Sequence, residues 1–470
     1  MAALQRMFVR GTPRATKQAA RYTPAGGAER CGMCRHYAAP SSCARIEGPV
    51  SAAGWCALFS QQVTWRPRAG QGAGLPVPPA SLDLSFMTPG ALPSGVTFTR
   101  ASTGSYFDAT GTLQTAAANA PRWDYDPNAL SLNGLLIEEA RTNLALNSGD
   151  PSNASWTKAG AIAVAPTVTG NQVTAPNGTL SAARVVYPGV GTASSVSVLG
   201  TGLITMTANP YSFSVWLRGN AGGERLYIYV SFGTSIYYRQ QVTLGTTWQR
   251  YSVSTPNLTA ASWNCNIGTD LRDAGQSATS AQTIYVWGAQ VEQGAFSTSY
   301  IPTTAASATR AAEGASIPTS AWFNASESSL AADFMVAQSP NPSATLVRDA
   351  CALSDASANN RLMLRAQIVS AGTAAFGTSI AGTTTASASL GATTAGAIAK
   401  VGAAWNGATG VGALNGGSAV SYAVGMPATL TTLTMGNDYS GAAAYLNGWL
   451  RRVRYWSRAL SAAELQSVTT

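Results

Sequence analysis

Three runs of this sequence place side chains in strict alternation: "YSFSVWLRG" (211–219), "RLYIYVSFG" (225–233) and "TIYVWGAQVE" (283–292). A period of two is the signature of a strand with two different faces. In the first run Tyr211, Phe213, Val215 and Leu217 share one face, with Ser212, Ser214, Trp216 and Arg218 opposite. In the second, Leu226, Ile228, Val230 and Phe232 oppose Tyr227, Tyr229 and Ser231. In the third, Ile284 and Val286 oppose Tyr285 and Trp287. Gly, Asn and Pro lie between the runs, and no helical pattern intervenes. The spacing therefore predicts antiparallel sheets packed as sandwiches, not βαβ units.

Composition agrees. Charged residues make up 10% of the 470, hydrophobic residues 46%, and glycine alone accounts for 47 positions. That mix is too apolar for a disordered chain and too poor in charge for salt-bridge-laced helices. No heptad repeat is sustained, so no coiled-coil stalk is expected. No run of 18 apolar residues exists, so no membrane insertion is expected. The N-terminus lacks the apolar core of a secretory signal, and a reducing cytosolic site of synthesis is the expectation.

The net charge of +9 is concentrated. Residues 1–68 hold ten basic side chains and two acidic ones, leaving the remainder nearly neutral. A basic arm of this kind meets an acidic protein surface, a nucleic acid or anionic lipid. No aromatic interleaving or nucleic-acid motif accompanies it, so a protein partner is preferred and nucleic acid is not expected.

The same segment carries four of six cysteines, Cys31, Cys34, Cys43 and Cys56, spaced C-x2-C-x8-C-x12-C. Four thiolates suit a [4Fe–4S] cluster, one per iron. Zinc is the alternative, although zinc ribbons usually supply two C-x2-C knuckles and only one is present. Trp55 beside Cys56 favours the cluster, which benefits from dry aromatic surroundings. His36, the chain's one histidine, reads as a surface residue. Cys265 and Cys351 read as buried small hydrophobes.

The stretch "ARYTPAGGAERCGMCRHYAAPSSCARIEGPVSAAGWCALFS" resembles high-potential iron–sulfur proteins. The resemblance rests on Tyr22 before a Pro/Gly turn, the knuckle, Tyr37, Gly48-Pro49-Val50 and Gly54-Trp55-Cys56. It implies the four cysteines as cluster ligands, with Tyr22 and Trp55 packed against the cluster. A second resemblance covers about residues 83–315. "LNGLLIEEARTNLALNSGD", "SNASWTKAG", "YSFSVWLRG", "TTWQRYSVS" and "YVWGAQVEQGAFSTSYIPTTAASATRAAE" look like a module of bacteriophage tail fibres, tail tips and head spikes. It implies a carbohydrate-binding-module-like jelly roll. The end, "YLNGWLRRVRYWSRALSAAELQSV", resembles the closing strand and helix of laminin-G or concanavalin-A-like sandwiches, with Ser461 and Glu464 as a capping box.

The expected fold is mainly β: a basic arm and cysteine module at 1–64, a Pro/Gly linker at 65–82, and a β segment at 83–142 pairing with the C-terminal sandwich. A jelly roll at 143–303 and a second sandwich at 304–470 follow, with 304–330 reading as a boundary. Tyr227, Tyr229, Tyr237 and Tyr238 are the candidate glycan-stacking rings; a sheet or subunit contact is the other reading of them. Asn437 and Asp438 read as a turn before a calcium site.

Catalysis has little support. Glu138 and Glu139 are adjacent and point apart on a strand, Glu292 stands alone, and a Ser-His-Asp triad would need His36. The expected function is a structural and adhesive virion protein, assembled in the host cytoplasm. It would dock on other virion proteins through the basic N-terminus, bind host surface glycans and form a homotrimer. An electron-transfer protein and a polysaccharide-degrading tail enzyme are the alternatives.

Overall fold

The computed structural model describes 37–38, 42–43, 79–337, 347–368, 372–423, 425–427, 429–439 and 443–470. The chain divides into Met1–Ala73 and Gly74–Thr470. In the first unit the described residues form one antiparallel pair, Tyr37–Ala38 with Ser42–Cys43. The proposed cluster ligands' side chains, Tyr22, Trp55 and His36 lie outside the described residues.

The second unit is built from antiparallel sheets and one short helix. Two five-stranded sheets form the first sandwich. One runs in the order Thr157–Ala161, Val196–Met206, Ala261–Asp270, Arg225–Phe232, Ile236–Thr243. The other runs Thr167–Thr174, Leu180–Tyr187, Gln282–Gln293, Tyr211–Gly219, Gln249–Ser254. The alternation explains how they meet. Phe213, Val215, Leu217, Leu226, Ile228, Val230, Ile284 and Val286 all enter one buried core between the sheets. Trp216 and Trp287, on the opposite phase, belong to a separate aromatic cluster on the outer face. Cys265 lies in the core, where burial pushes its thiol up.

The phase shifts once within Gln282–Gln293. The pairing to Tyr211–Gly219 slips between Ser214 and Trp216, so Ala289 and Val291 face the core where strict alternation would place Gly288 and Gln290. Gly288 supplies the bulge. Its φ is +63°, and a Cβ there would stand 2.7 Å from the Trp216 ring, so glycine is required on both counts.

The second sandwich takes strands from both sides of the first in sequence. A seven-stranded sheet includes Thr97–Thr99 beside Gly314–Pro318, and an eight-stranded sheet sets Leu132–Ile137 beside Gly448–Trp456. Leu84, Leu135 and Ile137 from the early segment share one core with Phe334, Leu364, Val401, Trp405 and Leu450. The segment 304–330, read as a boundary, contains the strands Ala308–Arg310 and Gly314–Pro318 and buries Arg310 and Glu313.

Helix α1 (Ala462–Val468) closes the unit. Ser461 caps it and exchanges hydrogen bonds with Glu464 in a full capping box. Leu460 and Leu465 pack with Trp456, Ala331 and Ala404 on the eight-stranded sheet.

Candidate functional site

The four tyrosines singled out in the sequence occupy one five-stranded sheet. Tyr227 and Tyr229 are buried at 4% and 1% exposure. They point away from the sandwich core, as alternation requires, but the segment following Asp270 folds over them. Ser277 N donates to Tyr227 Oη at 2.9 Å, and Tyr237 Oη donates to Asp270 at 3.2 Å. Tyr229 packs against Tyr237 at 5.8 Å, and Tyr238 packs against Trp263 at 6.1 Å. The faces of Tyr227 and Tyr229 are thus held inside the protein, where no sugar can stack on them.

Tyr237 and Tyr238 are partly exposed. Further partly exposed rings lie together beside the other sheet. The outer face of the other five-stranded sheet meets the edge of the eight-stranded sheet in a cleft of about 350 Å³. Trp248 and Arg250 line it beside the five-stranded sheet, and Tyr125 and Trp449 line it from the eight-stranded sheet. Tyr106 and Phe107 come from a separate hairpin, Gly104–Phe107 with Leu113–Ala116, and Phe107 packs with the Trp216 cluster. Trp248, Trp449, Tyr106, Phe107 and Tyr125 are partly exposed, while Trp216 lies beneath them as floor. The rings are fixed by their polar edges. Trp248 Nε1 donates to the Thr174 carbonyl (2.9 Å) and Trp449 Nε1 to Asp124 (2.8 Å). Arg250 lies 4.5 Å from the Trp216 ring centroid and donates to the Thr298 carbonyl and Ser214 Oγ.

Asp124 is the charged group that lines the cleft from the eight-stranded sheet. Burial pushes its carboxyl up to about 7, against hydrogen bonds from Phe107 N and Trp449 Nε1 and the charge of Arg122. Next to it is a buried ion network. Arg122 donates to Glu313 (Nε at 2.7 Å, Nη2 at 2.6 Å) and to Glu138 (2.8 Å), and Arg100 pairs with Glu313 at 2.7 Å. Ser299 N and Oγ donate to Glu138 at 2.8 and 2.5 Å. Burial raises the Glu138 carboxyl, but Arg310 and Arg122 overcome it and hold the group at about 2.

The other acids weighed for catalysis have partners of their own. Glu139 pairs with Arg141, and Glu292 accepts from Thr298 N and Oγ1. Asn437 and Asp438 are buried beside Gly436, and Asn437 Nδ2 donates to the Glu313 carbonyl. A larger pocket of about 710 Å³ runs along 220–225 and 277–283, but its aromatic component is the buried Tyr187.

No protein-family model matches the sequence, and no curated protein matches it. Solved structures similar to parts of the chain include carbohydrate-binding modules. The CBM40 of the Ruminococcus gnavus IT-sialidase aligns over 31% of this chain and 84% of its own length, at 12% identity and a TM-score of 0.26. The family 11 carbohydrate-binding module from Clostridium thermocellum, solved with a mixed-linked tetrasaccharide, aligns over 33% and 96%, at 10% identity and 0.23. A SAP-like pentraxin from Limulus polyphemus aligns over 31% and 70%, at 13% identity and 0.24.

The cleft residues were not singled out in the sequence as a site. The usable signal was present: Trp216 and Trp287 fall on the phase opposite the core, and a tryptophan directed out of a sandwich needs a partner or a ligand.

Proposed function

We propose that this chain binds glycans in the cleft between Trp248 and Trp449. The observation that carries the reading is the set of partly exposed rings lining a 350 Å³ cleft, with the polar edges of Trp248 and Trp449 already anchored. Sugar rings present apolar C–H faces and hydroxyl edges, and a site of aromatic walls with a few fixed polar groups complements both. Binding without cleavage is the preferred mode, because Glu138, Glu139 and Glu292 are engaged by basic or hydroxyl partners.

In the fuller reading the chain is an adhesive component of a phage particle. The support is the residue pattern of 83–315 and the basic, four-cysteine N-terminus, which would anchor to other virion proteins, staple itself with a [4Fe–4S] cluster and assemble as a homotrimer. About 50 residues without regular hydrophobic pattern gain most from metal-linked folding. A one-electron carrier, by contrast, has little use for two large sandwiches.

A glycan array probed with the full chain, followed by analysis of released sugars, tests the function. Retained glycan with no released oligosaccharide supports adhesion; released oligosaccharide establishes the enzyme instead. Metal analysis separates the cluster from zinc: a brown protein with iron and sulfide supports the former, and a colourless protein with one zinc rejects it. Imaging of purified particles places the chain on the virion or removes it from there.

A further inference from the structure

We propose that a second pocket, adjoining the cleft but separate from it, binds one neutral sugar ring through the indole N–H of Trp287. The pocket has a volume of about 350 Å³ and shares Ser105, Leu113 and Tyr300 with the cleft. Its own walls include Asn147, Asp150, Asn177, Thr179 and Ser181. Hydroxyl and amide groups thus surround an aromatic floor.

Trp287 is 3% exposed and fixed by ring contacts, 5.6 Å from Trp216 and 4.9 Å from Tyr300. Buried indole N–H groups normally find an acceptor. Trp248, Trp156, Trp263, Trp405 and Trp449 all have one. Among the described residues Trp287 Nε1 has none, and neither has the buried Trp123 Nε1; of the two, Trp287 borders this pocket. Residue 149 leaves it accessible. A Cβ on Gly149 would lie 3.5 Å from Trp287 Nε1 and 3.7 Å from Tyr300 Oη, in the space an acceptor would occupy. Tyr300 Oη is 2.7 Å from Ser148 Oγ, so its hydroxyl is already oriented at the pocket base. A sugar hydroxyl is the acceptor that matches this donor, and the Trp–Tyr floor matches the ring face.

Charge selects the class of sugar. Asp150 is the one charged residue lining the pocket, and its carboxylate already accepts from Ser152. With a carboxylate at the rim and no lining cation, uronic and sialic acids are repelled and neutral hexoses are admitted.

The inference stands on its own observation, so it survives failure of the cleft. The test is titration of the full chain with methyl β-glucoside, methyl β-galactoside and N-acetylglucosamine, with N-acetylneuraminic acid as the anionic comparison. Trp287→Phe keeps a ring and removes the donor. Gly149→Ala adds a methyl at ordinary contact distance and blocks the N–H, keeping the test decisive if the Phe variant folds poorly. Each is measured in the wild-type and Trp449→Ala backgrounds, so pocket and cleft are read apart. The expected result is binding of at least one neutral sugar in the Trp449→Ala background, weakened about tenfold or more by either pocket substitution, as loss of one buried hydrogen bond implies. Unchanged affinity in both pocket variants, no neutral sugar bound in that background, or equal binding of the anionic sugar overturns it.

Discussion

Asp124 couples the cleft to its buried surroundings. Its carboxyl orients the Trp449 ring through Nε1 while burial holds it up near 7. Between the ordinary carboxylate value and about 7, the folded protein keeps a proton that the unfolded chain has released. The group therefore subtracts stability as pH rises through that window. Asp124→Asn should flatten the decline in Tm from about pH 4 to 7 relative to wild type, leaving the part due to Asp349, which burial also raises to about 7. Melting curves across this range check it; parallel Tm profiles for the two proteins would contradict it. The burial of Asp124 was not legible in "WDYDP", because its hydrogen-bond donors come from residues 107 and 449, distant in sequence.

At the scale of elements, alternation assigned the core faces of three strands except at Phe232, which ends its strand exposed at 42% and outside the core, and a capping box placed the closing helix. Both are local signals that tertiary packing reinforces. What alternation does not encode is a bulge, or a loop that returns over an outer face. Gly288 shifts the phase of its strand, and the segment after Asp270 covers Tyr227 and Tyr229. The tyrosines therefore read as exposed rings, while the rings that line the cleft depend on a neighbouring sandwich for their context. Gly288→Ala must accept a left-handed backbone and displace Trp216, at a cost of about 1–3 kcal/mol. Ser461→Ala removes only the helix cap, at about 1 kcal/mol. Denaturant unfolding should rank Gly288→Ala as the more damaging of the two.

In the unit from Gly74 to Thr470, the cleft is lined by residues of both sandwiches and of the hairpin Gly104–Phe107 with Leu113–Ala116. Arg122 fastens them by reaching Glu138 and Glu313 as well as Ser299, whose segment runs along the outer face of the first sandwich. Arg122→Met leaves two buried carboxylates short of their partner, which costs roughly 3–5 kcal/mol. Its unfolding midpoint should fall accordingly, and glycan affinity should weaken in parallel as the walls lose their spacing. The presence of β-sandwiches was legible across this unit because period-two patterning recurs along it. The pairing of residues 83–142 with the C-terminal strands depends on contacts such as Trp449 with Leu136, separated by more than 300 positions.

The measurement that bears most directly on glycan binding in the cleft is calorimetric titration of an array-positive oligosaccharide into wild type, Trp248→Ala and Trp449→Ala. The cleft assignment predicts an affinity loss of about tenfold or more in each variant, as expected for removal of an aromatic contact. Wild-type affinity in both variants would contradict it.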